Sequence, residues 1–197
     1  MLLQGKLLST LRSWPVSLIL ITPALAAQSY VPLTPAARVG DYLKDVVNPI
    51  YVVTGAAGAG IGQWRNSPRE WKQGGQGFGR RLASAYAQHI VSDTLLLGSS
   101  ALLHEDNRYF PSPHAGVKAR IGYALKSTFQ ARHSDGSVHF SFSRIGSMAG
   151  SSLISRAWQP PSSAKMSSAA INFGASLGGS MGFSVAHEFL PFLWRRQ

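Results

Sequence analysis

Apolar residues recur at helical spacing through most of the chain. Leu82, Tyr86, Ile90, Leu97 and Ala101 lie on steps that keep one face of a helix, which predicts a long helix over residues 78–103. At the α-helical rise it would be about 39 Å long. Val117, Ile121, Leu125 and Phe129 form an i, i+4 row, with Lys118, Lys126 and Arg132 off it, so an amphipathic helix with a basic side is expected from His114 or Ala115 to Arg132. Thr34-Pro35 reads as an N-cap with proline in the first turn, and Asn48-Pro49 should end the helix that follows. Residues 46–64 carry no charge and include Gly55, Gly58, Gly60 and Gly62; they suit a marginal membrane crossing or a tightly packed helix.

Other stretches break the helical period. Residues 64–81 read as a loop, with the glycines from Gly74 to Gly79 as a linker into the long helix. A phosphate cradle is disfavoured there, because no strand precedes the glycines and no Lys-Ser or Lys-Thr pair follows. Ser134-Asp135-Gly136-Ser137 has turn composition, and residues 138–143 alternate with period two, a short extended segment. A small-residue helix is expected from Ser143 or Arg144 to about Trp158, stopped by Pro160-Pro161.

Residues 166–186 admit two readings. Ala170, Gly174, Gly178, Gly182 and Ala186 fall every fourth position, which on a helix makes a groove for close approach of a neighbour. Ile171, Phe173, Ala175, Leu177, Gly179, Met181, Phe183, Val185 and Phe189 instead alternate like a strand of an outer-membrane barrel. The run continues for almost twice the length such a strand needs, and its predecessors are helical. The expected fold is therefore an all-α, glycine- and alanine-rich bundle with a short extended segment at 138–143, the β-barrel being the alternative.

Composition narrows the class. Hydrophobic residues make up 45% and charged residues only 14%, which excludes a charge-rich disordered chain. Glycine, alanine and serine together supply about a third of the residues. With no cysteine there is no disulfide, thiolate metal site or cysteine nucleophile. The net charge is +11, but the cations flank apolar runs instead of forming a stripe, which favours anionic lipid over nucleic acid.

The N-terminus has the anatomy of a secretory leader: Lys6 and Arg12, a short apolar core at 16–21, and Ala24-Leu25-Ala26 as a cleavage site. The expected organisation is a signal peptide over 1–26, a tether over 27–35 and one helical domain over 36–197. Export to the bacterial cell envelope follows. Trp64, Trp71, Arg80, Arg81, Trp194, Arg195 and Arg196 are the expected membrane-surface contacts, aromatic and cationic side chains being the usual pair at that boundary. The small-residue groove also suits self-association.

The run Leu102-Leu103-His104-Glu105-Asp106-Asn107-Arg108-Tyr109-Phe110 resembles a motif of a family of exported bacterial proteins of unassigned activity. Gly122-Tyr123-Ala124-Leu125, Thr128-Phe129 with Arg132, Phe140-Ser141-Phe142-Ser143 and Glu188-Phe189-Leu190-Pro191 are similar to further segments of that family. Proline is usual there at the position of Asn107, and tryptophan at that of Leu190. The resemblance covers residues 64–195 and implies an exported helical protein. It transfers no catalytic role.

Candidate chemistry is confined to two polar segments. His104, Glu105 and Asp106 offer an imidazole and two carboxylates, with His187 and Glu188 able to join them if the last helix folds back. No His-x-x-x-His pair and no Gly-x-Ser-x-Gly elbow accompanies them. His89 and Asp93, one helical turn apart, read as a buried hydrogen-bonded pair, and His133 and His139 as solvent-facing. The sequence favours a non-enzymatic envelope protein without cofactor; the alternative is a periplasmic metal-dependent hydrolase using the His104–Asp106 turn.

Overall fold

A computed structural model describes residues 30–190. The leader at 1–26 and the cluster Trp194, Arg195 and Arg196 lie outside the described residues. Helix α1 spans Pro35–Val46, with the Thr34 hydroxyl accepting from the Ala37 N–H at 3.2 Å. Asn48 caps α2 (Pro49–Trp64) through Ile50 N at 3.1 Å, so one Asn-Pro pair both ends the first helix and starts the second.

Helix α3 (Gly74–Leu102) begins four residues earlier than the periodicity predicts. The glycine run is its first turn and not a linker, because glycine is needed for the approach to the preceding loop. A methyl group on Gly77 would stand 2.3 Å from the Lys72 carbonyl oxygen and 2.7 Å from that of Trp71. Helix α4 (Val117–Ser127) is correspondingly shorter than expected. Residues 130–132 leave the helix to form strand β1 (Gln130–Arg132), antiparallel to β2 (Val138–Phe140), with Ala131 opposite His139. Local periodicity continued the helix through Phe129; the hairpin's hydrogen bonds and an Asp106–Arg132 bridge on its other edge override it.

Helix α5 (Phe142–Ile154) and a short 3-10 turn at Ser155–Ala157 lead to α6 (Met166–Phe189). The protein is an all-α bundle with a small hairpin, and the barrel alternative falls because residues 166–189 form one helix. Helix α3 is central, packing against α1, α2 and α5; α5 in turn packs against α6, and α6 against α4. No helix among the described residues is long and apolar enough to cross a membrane.

The polarity of this bundle is inverted. Among the described residues the fully buried apolar side chains are Ala59, Ala124, Ala131 and Ala169, whereas Glu105, Asp106, Thr128 and Ser141 are almost completely enclosed. Ser143, Ser147, Ser151 and Ser155 make a buried stripe along one side of α5 and its following turn. The hydroxyls of Ser147, Ser151 and Ser155 bond carbonyls of their own segment, those of Arg144, Met148 and Ser152. Serine thus behaves as a small residue whose polar atom is satisfied locally, which lets helices approach closely.

Several large apolar residues are exposed, while those of α3, such as Leu82, Ile90 and Leu97, are half-buried. On α1, Arg38, Tyr42 and Asp45 turn toward α3, while Val39, Leu43 and the capping residue Val47 form an exposed i, i+4, i+8 row. On α2, Val53, Ile61 and Trp64 are exposed and share one helical face. Helix α4 repeats the theme: Ala124 is buried, and Val117 and Leu125 of its apolar row are exposed.

Candidate functional site

The His104–Phe110 segment is a clasp that joins helix ends. His104 follows the C-cap of α3 with a left-handed backbone (φ 54°), and the Glu105 N–H returns to the Ser100 carbonyl at 3.0 Å. That is a helix stop of the Schellman type, a position glycine usually fills. The His104 side chain is exposed and Glu105 is buried, so the chain reversal sends them to opposite surroundings.

Glu105 is saturated by donors from the start of α5. Its carboxylate accepts from Phe142 N at 3.1 Å, Ser143 N at 2.9 Å, Ser141 Oγ at 3.3 Å and Ser143 Oγ. These are the groups a helix N-terminus leaves unpaired, and a negative charge there also opposes the positive end of the helix dipole. Asp106 accepts from its neighbour Arg108, whose Nη2 is 2.7 Å away and also donates to the Val31 carbonyl at 3.1 Å. Asn107 donates to Ser143 Oγ at 2.7 Å.

Arg144 lies behind this cluster and donates to the carbonyls of Ser127 (2.8 Å), Thr128 (3.1 Å) and Asn107. It closes the C-terminus of α4. Burial pushes its guanidinium down to about 10, against the opposing pull of Glu105 and Asp106, so it stays charged at neutral pH. Arg38 reaches in from α1 to the Glu105 carbonyl at 2.6 Å.

The last helix does fold back, but to Tyr109 and not to His104. Glu188 accepts from Tyr109 Oη at 2.6 Å, Ser112 N at 3.0 Å and Arg120 Nε at 2.6 Å. Burial raises its carboxyl, and these donors outweigh burial, holding it below the usual carboxylate range. His187 sits beside Tyr109, ring centres 5.2 Å apart. Each candidate carboxylate is thus occupied by protein donors, and no group of three His, Asp or Glu side chains converges to hold a metal ion among the described residues. A cleft of about 510 Å³ opens beside the hairpin, lined in part by Leu103, Phe140, Phe142, His133 and His139.

The expected membrane contacts divide. Trp64 is 82% exposed and Arg80 is exposed, but Trp71 is half-buried. Arg81 is 5% exposed and is removed from that set. It donates to Ser67 O, Pro68 O, Lys72 O and Gln63 Oε1 at 2.7–2.9 Å, pinning the loop between α2 and α3. Ala170, Gly174, Gly178 and Gly182 are exposed, Ala186 is half-buried, and nothing lies within 4 Å of a methyl group built on any of the three glycines. Among the described residues no helix packs on these three glycines.

Sequence reasoning missed the structural arginines 38, 81, 120 and 144. It also missed the four-residue serine repeat on α5. No protein-family model, curated protein or solved structure matches this chain.

Proposed function

We propose that this chain is a non-enzymatic protein of the bacterial cell envelope that lies on an anionic membrane surface. The observation that carries the reading is the inverted α1, which gives Arg38, Tyr42 and Asp45 to the bundle and Val39, Leu43 and Val47 to the outside. An apolar row of that kind on a short helix suits burial at the headgroup–acyl boundary, parallel to the membrane. Helix α2 also exposes Val53, Ile61 and Trp64, the last an interfacial side chain by preference.

Charge supports the same surface. Arg65, Arg69, Lys72 and Arg80 are exposed around the loop that follows Trp64. The one acid in that loop, Glu70, is held by Ser162, its Oγ 2.7 Å away. Export rests on the leader sequence and on the resemblance to exported bacterial proteins.

Vesicle flotation of the mature chain tests the reading. Binding to vesicles containing phosphatidylglycerol is expected, weakening with salt and falling when Leu43→Glu and Val47→Glu are combined. Both residues are exposed, so circular dichroism should be unchanged. A folded chain that stays out of the vesicle fraction at low salt overturns the proposal.

A further inference from the structure

His89 and Asp93 stand one turn apart on α3, with His89 Nε2 3.2 Å from Asp93 Oδ2 and both side chains more than four-fifths enclosed. The contact is close but not aligned as a hydrogen bond, and neither atom has another partner. Two enclosed polar atoms left in this state are costly, and the remaining contacts define what they lack. His89 is also held by the backbone carbonyl of Asp45 on α1. An imidazole nitrogen and a carboxyl oxygen this close, each without another partner, are a pair that one shared proton serves.

We propose that His89 and Asp93 form a buried proton-binding site that fastens the corner between α1 and α2 onto α3. One proton taken from water bridges Nε2 and Oδ2, and its departure leaves an anion in an enclosed belt. Every packed element contributes to that environment. Helix α1 brings Asp45, with Asp41 and Lys44 behind it. Helix α2 stacks Tyr51 on the imidazole, ring centres 3.8 Å apart. Helix α3 adds Tyr86, whose hydroxyl donates to the Val46 carbonyl beside the corner. Helix α6 contributes Phe183, 5.8 Å from Tyr51, and has no charged side chain from Met166 to Ala186; α5 is uncharged between Arg144 and Arg156. No cation on these elements stands against Asp93 to replace the proton.

The electrostatics agree in direction. Burial, reinforced by Asp45, raises Asp93 to about 7, and burial, reinforced by Asp41, raises Asp45 to about 6. Burial also lowers His89 and raises Tyr51, so the imidazole stays neutral and the phenol protonated. For the two acids the folded value exceeds the unfolded one. Their contribution is complete below the ordinary carboxylate range and is lost as pH rises through 6–7. His89 acts in the opposite sense, and only below its ordinary value of 6.5. Above neutrality Asp45 and Asp93 are both anionic across the α1–α3 contact and repel.

Hydrogen exchange of residues 41–54 in the full chain at pH 6 and pH 8, corrected for intrinsic rates, tests this. Protection in the wild type should fall roughly tenfold at pH 8, the linkage of one proton. Asp93→Asn, whose amide supplies a permanent donor to Nε2, should keep its pH 6 protection at pH 8. Equal protection of the wild type at both pH values, or a pH-dependent loss in Asp93→Asn, overturns the site. If that variant does not fold, the Asp93 carboxyl carbon shift decides on the wild type alone. A midpoint near 7 supports the proposal, and one in the ordinary carboxylate range defeats it.

Discussion

Glu105 was a metal candidate only in the alternative sequence reading, and its four donors make it the cap of α5. Glu105→Ala strands these buried donors and should cost about 2–4 kcal/mol in urea unfolding. Glu105→Gln, which keeps an acceptor oxygen, should cost less. His104, its neighbour, works through its backbone. His104→Gly relieves a left-handed residue and should be neutral or stabilising by up to about 1 kcal/mol, whereas a metal ligand would not tolerate it. The glycines separate in the same way. Gly77→Ala meets two carbonyl oxygens and should lose roughly 1–3 kcal/mol, while Gly178→Ala meets open space and should gain up to about 1 kcal/mol from helix propensity. Thermal or urea unfolding of the pair checks both signs. Which polar residues would be noticed was legible in the sequence. The roles of Glu105 and Glu188 were not, because their partners lie 36 to 79 residues away along the chain.

At the scale of the element, the chain contains two small-residue stripes that sequence reasoning weighed the wrong way round. The conspicuous one, Gly174, Gly178 and Gly182 on α6, faces outward. The stripe that packs is Ser143, Ser147, Ser151 and Ser155, every fourth residue from the start of α5 into the turn after it. Serine is normally read as a surface residue, so the repeat carried no packing signal until burial was known. Ser151→Ala should be almost silent, since the hydroxyl bonds only the Met148 carbonyl of its own helix. Ser151→Leu should destabilise by about 1–3 kcal/mol through overpacking. A loss in the alanine variant as large as in the leucine variant would show that the hydroxyl, not the small volume, is what α5 requires. Among the described residues the six predicted helices and the extended segment at β2 were right in kind, but periodicity reads β1 as the end of a helix, and the element ends erred. Helix α3 starts early because a loop folds against its glycines, and α4 stops early because residues 130–132 pair with β2.

At the scale of the molecule, charge is stored at opposite poles of pH. Glu188 is held below the usual carboxylate range, so its contribution is present above about 4.5 and is lost as pH falls through its folded value. The midpoint temperature should drop on acidification below that range, and Glu188→Gln should flatten the drop. Asp45 and Asp93 act with the reverse sign toward neutrality. Hydrophobic periodicity and proline placement determined the helices by themselves, because those signals are local and obey the period of the element. They did not determine which face of each helix turns inward. The apolar row Val117, Ile121 and Leu125 predicts a core face, yet Val117 and Leu125 are exposed, and serines, arginines and carboxylates close much of the interior through long-range hydrogen bonds. That inversion, and with it the surface offered to a partner, is decided only when distant polar groups meet, since each needs a partner once it is removed from water.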